Sequence, residues 1–287
     1  MQKSIDIPIV TIGPGSQPVE DDTLEYMAMP KEMYTHDSIS LPEPEDLRHR
    51  HRIRDLLEDM LATARAYAPG EDEAIVHDIS HLDPDDLACI NQILGVGEVS
   101  VTIDQLGGAI LAQEAVLTGV WRVRRVDAAQ NVLDDRIEIA DVPQAVRTSS
   151  FVALSENRLD PNAAPIPGVQ NAPALLSEIA DKMVRYTPGD PSHVINLTLL
   201  PLTREDLIYL GTALGVGPAT ILSRGYGNCR IGATRLPNVW WVKYFNSQDA
   251  LILNTIEIVD VPEVALAAPE DFADTADRLR EILTLFQ

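Results

Sequence analysis

The chain has 287 residues, 45% of them hydrophobic, with 44 acidic against 22 basic side chains and a formal charge of −22. That is enough length and apolar material for two ordinary domains, and the charge sets the chain as a whole against nucleic acid and anionic membrane surfaces. No apolar run approaches the roughly 18 residues of a membrane helix, proline breaks the opening "MQKSIDIPIVTIGPGS", and two distant cysteines make neither a disulfide framework nor a zinc ribbon; the expectation is a cytoplasmic protein with reduced thiols.

Residues 1–48 read as a proline-rich acidic lead-in, and 49–150 as a first folded unit. In that unit Ile53, Leu56, Leu57, Met60, Leu61, Ala64 and Tyr67 recur at three- and four-residue steps, the stripe of an amphipathic helix that Pro69-Gly70 closes. Ile75, His77 and Ile79 alternate as in a short strand. A second helix starts after Asp83, whose carboxylate suits the free N–H groups of a first turn, and stops at Gly95. Three β-segments follow, "EVSVTI", "AVLTGVWRVRRV" and "DRIEIADV", and the short gaps between them favour antiparallel hairpins.

Residues 151–172, with "DPNAAPIPGVQNAP", form a linker, after which the same series returns over 173–268. "LLEDMLATARAYAPG" from Leu56 matches "LLSEIADKMVRYTPG" from Leu175; "DLACINQILGVG" from Asp86 matches "DLIYLGTALGVG" from Asp206; "IEIADVPQAV" from Ile137 matches "IEIVDVPEVA" from Ile256. The offset holds at 119 or 120, which implies a shared fold and a duplication. Ile195, Leu197 and Leu199 alternate as a strand, Thr203 and Gly215 bound the second helix, and "ATILSR", "CRIGATRLPNVWWVKYF" and "LILNTIEIVDV" supply the strands. The fold class is therefore α+β, a tandem helix-strand-helix-three-strand unit, each copy a small mixed or antiparallel sheet covered by helices. Residues 269–287 close the chain as an amphipathic helix. Its apolar face, Phe272, Ala276, Leu279, Ile282, Leu283 and Phe286, is expected to dock on the second sheet.

Several stretches invite chemistry. "GYGNC", Gly225 to Cys229, precedes a strand rather than a helix N-terminus, so a tight turn with Asn228 and the glycines at positive φ is favoured over a phosphate loop. Two thiolates in one chain are too few for a conventional iron–sulfur cluster; Cys89 lies among helical apolar residues, and Cys229 is carried forward as a candidate thiol. His77 and His81 sit on a strand and its exit, where a four-residue spacing does not converge on a metal, and His49 and His51 read as solvated surface. Asp141 with Asp260, and Glu138 with Glu257, recur in both copies, which argues for structure rather than acid/base work. No catalytic residue, cofactor or metal site is assigned. What remains is "VWWVKYF": Val239, Trp241 and Lys243 share one strand face, and Trp240, Val242 and Tyr244 the other. Core packing is the first reading, and a partner-binding anchor among Trp240, Trp241, Tyr244 and Phe245 is the second.

"GPGSQP" and "YMAMP" in the lead-in, then "GVGEVSV", "GVWRVRR", "GYGNCRI", "VWWVKYFNSQDALILNTIEIVDVPEV" and "APEDFADTADRLRE", together resemble the HupH/HyaF/HoxQ family of hydrogenase expression/formation proteins over almost the whole chain. The resemblance implies a non-enzymatic accessory role in maturing nickel–iron uptake hydrogenases. The implied partners are the iron–sulfur small-subunit precursor, or its twin-arginine signal, before export, and a thioredoxin-like accessory protein. No nucleic acid or membrane is implied, a homodimer stays open, and no catalytic residues come with the family. A carrier or enzyme centred on Cys229, and a scaffold joining other maturation factors, stand as alternatives.

Overall fold

The computed structural model describes residues 41–70, 73–151, 167–224 and 228–286. The tip Gly225 to Gly227 and the lead-in motifs before residue 41 lie outside them. The first half runs α1 (Pro44–Leu47), α2 (His51–Ala66), β1 (Ile75–Asp78), α3 (Pro84–Leu94), β2 (Val99–Gln105), β3 (Gly108–Glu114), β4 (Val120–Asp127), β5 (Val132–Ile139) and α4 (Gln144–Ser149). The second runs α5 (Ala172–Arg185), β6 (His193–Asn196), α6 (Arg204–Leu214), β7 (Ala219–Ser223), β8 (Asn228–Ala233), β9 (Val239–Phe245), β10 (Leu251–Ile258) and α7 (Pro269–Thr284).

The helix boundaries follow local chemistry. Asp83 accepts the N–H groups of Asp85 and Asp86, while Thr203 and Asp206 exchange side-chain and backbone bonds in a capping box. Both helices stop at glycines with positive φ, Gly95 at 57° and Gly215 at 65°. Each half has four strands after its second helix, one more than the pattern suggested. β3, "GAILAQE", reads as a loop because Gly107 and Gly108 open it. "CRIGATRLPNVWWVKYF" holds two strands, whose connecting turn at 234–238 is masked by the apolar, buried Leu236. The strand expected through Leu199 ends at Asn196, whose side chain accepts the Thr198 N–H and starts a 3-10 turn over Leu197–Leu199.

The two expected sheets are one. The ten strands among the described residues form a single antiparallel sheet in the order β1-β5-β4-β3-β2-β7-β8-β9-β10-β6. The halves meet at β2 and β7, where Val101 lies opposite Ile221, Val99 opposite Ser223 and Ile103 opposite Ala219. Since Val101 and Ile221 are counterparts at offset 120, this pairing has the self-complementary form of a two-fold interface. It consumes the two edges that separate sheets would have exposed.

Strand alternation then sorts the side chains. On one face Val120, Ile137 and Ile139 pack under α2, α3 and α7, and Val239, Trp241, Ile256 and Ile258 under α5 and α6. On the other, Val101, Ile103, Trp121 and Val123 join Ile221, Ile231, Trp240 and Val242 in one central core shared by both halves, together with Ala145 and Val146 of α4 and Ala265. α7 does not cover the second half. Phe272, Ala276, Leu279, Ile282 and Phe286 belong to the first-half core, with the Phe272 ring 4.8 Å from that of Tyr67. Gly119, at φ 78°, makes this approach feasible, because a Cβ there would lie 2.6 Å from the Phe272 ring. The counterpart of Gly119 is Asn238, at φ 59°.

Candidate functional site

β9 lies between β8 and β10, so each of its side chains has cross-strand neighbours on both sides. Trp240 is fully buried on the central-core face; its indole N–H donates to the carbonyls of Val259 and Asp260, both at 3.2 Å, and Phe151 meets its ring edge-on at 5.1 Å. Trp241 is buried on the helix side and donates to Asn254 Oδ1 at 2.6 Å. Both tryptophans thus combine apolar burial with a satisfied N–H. The last two aromatics are partly exposed. Tyr244 leans on the central core opposite Cys229, and Phe245, on the helix side, carries the Arg230 guanidinium 4.5 Å above its ring. Of the four aromatic candidates, Tyr244 and Phe245 are therefore the ones a partner can touch.

Beside them the β9–β10 hairpin presents apolar surface. Phe245 pairs with Leu251 in register, and Leu251 and Ile252 are 44% and 57% exposed. The same corner of the first half shows Val132 and Leu133, 51% and 56% exposed. The patterns of "AQNVLDD" and "SQDALILN" held this signal, since apolar residues there sit next to turn residues where polar ones are the rule.

Cys229 sits in the central core, 4% exposed. Burial, with the nearby Glu257 carboxylate, pushes its thiol up to about 12, far from the thiolate that metal binding or redox exchange requires. Cys89 is also buried and its thiol raised by burial. Asn228 opens β8 and donates to Asp249 at 2.9 Å; it is absent from the residues with positive φ, so the turn does not use it as expected. His77 is half-buried near Thr63, its imidazole held below the usual range by burial, while His49, His51 and His81 are exposed. Among the described residues no group of three or more histidine, cysteine or carboxylate side chains is placed to hold a metal ion.

The recurring acids tie elements together. Asp141 accepts from Tyr67 Oη at 3.2 Å and from Arg147 at 2.7 Å, and its N–H donates back to Tyr67 Oη at 3.1 Å. In the second half the Asp260 N–H donates to Tyr186 Oη at 2.8 Å, and its carboxylate accepts from the Gly189 N–H at 3.0 Å. Each pair fastens the end of a helix to the strand exit beneath it. Glu114 is a buried acid with no acidic counterpart in the second half. It accepts the Gly119 N–H at 3.2 Å and is pushed up to about 7, chiefly by burial.

The fold and its surface define a class, an antiparallel α+β protein whose accessible apolar features are two hairpin corners with the part-exposed Tyr244 and Phe245 beside one of them. The particular family follows from comparison. The model of the HupH hydrogenase expression protein, C-terminal conserved region, matches this chain twice, over residues 53–159 and 169–286, and the chain belongs to that family. It is 46% identical to the hydrogenase expression/formation protein HupH of Rhodobacter capsulatus, over 99% of this chain and 98% of that one. It is 43% identical to HoxQ of Cupriavidus necator, over 98% and 97%, and 34% identical to the hydrogenase-1 operon protein HyaF of Escherichia coli, over 94% of each. A solved structure of the hydrogenase expression protein HupH from Thiobacillus denitrificans aligns at 32% identity over 39% of this chain and 92% of its own, with a TM-score of 0.37. Among the described residues no helix is long and apolar enough to cross a membrane.

Proposed function

We propose that this protein is a cytoplasmic accessory factor in maturation of a nickel–iron uptake hydrogenase, binding the iron–sulfur small-subunit precursor before export rather than catalysing a reaction. The family membership and the names of its relatives support the hydrogenase context. The observation that carries the binding role is the apolar corner of Phe245, Leu251 and Ile252, next to Tyr244, on a chain otherwise rich in charge. Such a corner suits an apolar stretch of an unfinished or signal-bearing polypeptide. The surrounding excess of acid would attract the arginines of a twin-arginine signal and weaken with salt.

The test is capture of the precursor from cells making the hydrogenase, with wild-type protein and with Phe245→Asp and Ile252→Asp. Loss of capture by folded variants is expected. Undiminished capture by both would remove the corner from the reading, and precursor binding that ignores both salt and deletion of the signal would remove the signal.

A second reading, a scaffold that also engages a thioredoxin-like accessory protein or a second copy of itself, is favoured by the matching exposed corner at Val132 and Leu133. Substituting one corner at a time should then release different partners. A Cys229-centred carrier would have to work through a buried, fully protonated thiol, and metal content unchanged by Cys229→Ser removes it.

A further inference from the structure

On the helix side of the sheet, α2, α3 and α7 cover one end and α5 and α6 the other. Between them lies a floor whose side chains are mostly half-exposed. Its composition follows from the register. One row across the strands reads Arg122, Gln113, Ser100, Leu222, Arg230, Lys243, and the next reads Arg124, Leu111, Thr102, Thr220, Gly232, Trp241. Twelve positions thus carry four cations and no carboxylate, in a chain with twice as many acids as bases. Asp135 stands opposite Arg124 but is bound to Arg122 at 2.6 Å, and Glu98 and Asp104 stand at the two ends of β2.

The cations differ in what occupies them. Arg122 is held by Asp135 and Asn91. Lys243 lies 5.2 Å from the Trp241 ring. Arg124, half-exposed and lining a cleft of about 160 Å³ with Gln113 and the end of α3, has no ion pair or hydrogen bond among the described residues. Arg230 Nε is buried without an acceptor, its guanidinium fixed over Phe245. A guanidinium in that state gains more from an arriving carboxylate than a fully hydrated one does.

We infer that this floor is the docking surface for an extended acidic segment of a partner protein, lying across the strands with carboxylates on Arg124 at one end and on Arg230 and Lys243 at the other. β4 and β8 are four strand steps apart, on the order of 19 Å, and an extended chain advances about 3.3 Å per residue. The segment therefore carries its acidic positions about six residues apart, with small or polar residues over Ser100, Thr102 and Thr220. This surface meets the apolar corner at Arg230, which stacks on Phe245, and is opposite in preference to an arginine-bearing signal.

The test uses the full chain and a labelled peptide of about ten residues with glutamates six apart, followed by fluorescence anisotropy. Binding at low salt that weakens about tenfold at high salt, and about tenfold in Arg124→Glu, is expected. Arg230→Gln, which retains most of its packing, should weaken it too, and unchanged melting temperatures show that both variants fold. Absence of binding at low salt, equal binding by the variants, or preference for a basic peptide of the same length overturns the inference. So does much tighter binding after neutralising Glu20, Asp21, Asp22 and Glu25, which would assign the floor to the chain's own acidic lead-in.

Discussion

The two halves of the sheet carry the same series of elements in the same register, yet each is finished with different parts. In the first half Asp86 meets a side chain, Arg50 at 2.8 Å. In the second the counterpart Asp206 collects backbone. Its Oδ1 accepts the N–H groups of Gln170, Asn171 and Ala172 at 2.8, 2.9 and 2.9 Å, and Oδ2 accepts that of Thr203 at 3.0 Å. One carboxylate thereby fixes the start of α5 and the start of α6. The first half is closed by α7, over Gly119; the second presents Asn238 at that place and has no helix of this kind among the described residues. The difference teaches that the repeated pattern specifies the strands and their pairing, while single side chains decide how each end is sealed and so which surfaces stay open.

The comparison breaks most severely at Asp206. Burial opposes its charge, but the four N–H donors outweigh burial and hold its carboxyl below the ordinary range. Asp206→Ala strands those donors at two helix starts and should cost about 4 kcal/mol, whereas Asp86→Ala, which frees a part-exposed arginine, should cost about 1–2 kcal/mol. Urea unfolding of the two variants checks the ranking. Because the folded value is depressed, Asp206 stabilises above its unfolded value of 3.8 and the contribution is lost as pH falls through the folded value.

Next in size is Gly119→Asn, which installs the second half's residue in the first. Asparagine tolerates the positive φ, so the cost is the Phe272 ring, and about 2–4 kcal/mol should be lost as α7 is pushed off. Faster amide exchange confined to α7 would be the signature. Asn238→Gly, the reverse exchange, should change stability by no more than about 0.5 kcal/mol.

Glu114 distinguishes the halves by pH, since its counterpart is Ala233. With a folded value near 7 and an ordinary value of 4.5, it binds its proton more tightly in the folded state. Its effect is therefore absent below about pH 4.5, grows as pH rises from 4.5 to about 7, and stays at its full destabilising value above that. Glu114→Gln keeps an acceptor for the Gly119 N–H and removes the charge. The variant should match the parent at about pH 4 and exceed it by about 3 kcal/mol at about pH 8. Equal stability at both values would mean that the carboxyl finds solvent.

Much of this architecture was legible in the residues, for identifiable reasons. The helix stripes, the caps at Asp83 and Thr203 and the stops at Gly95 and Gly215 are local, so spacing alone reveals them. Fusion into one sheet was not legible, because "EVSVTI" and "ATILSR" look alike whether they form edges or a junction. The docking of α7 was hidden for a similar reason: its apolar face specifies burial but not against which half, and the deciding feature is the missing side chain at Gly119. At the site, alternation placed Trp240 and Trp241 on opposite faces, but only cross-strand neighbours show that both are buried and that Tyr244 and Phe245 remain within reach. The cationic floor spans six strands, its cations sit on β4, β8 and β9 far apart in sequence, and net charge concealed it.

The smallest difference expected is at the tyrosines that tie α2 and α5 to the strand exits. Tyr67 is 7% exposed and its hydroxyl both donates to the Asp141 carboxylate and accepts the Asp141 N–H. Tyr186 is half-exposed and accepts the Asp260 N–H, while the Gly189 N–H donates to the carboxylate. Removing the hydroxyl from Tyr67 leaves the buried Asp141 N–H without a partner, while the carboxylate keeps the Val142 N–H on Oδ1 and Arg147 on Oδ2. Water can replace the hydroxyl of Tyr186. Tyr67→Phe should therefore cost about 1–2 kcal/mol and Tyr186→Phe about 0.5 kcal/mol, read from urea midpoints at neutral pH. The reverse order would show that water reaches the first tie as readily as the second, and that α7 seals its half less tightly than the Phe272 contact implies.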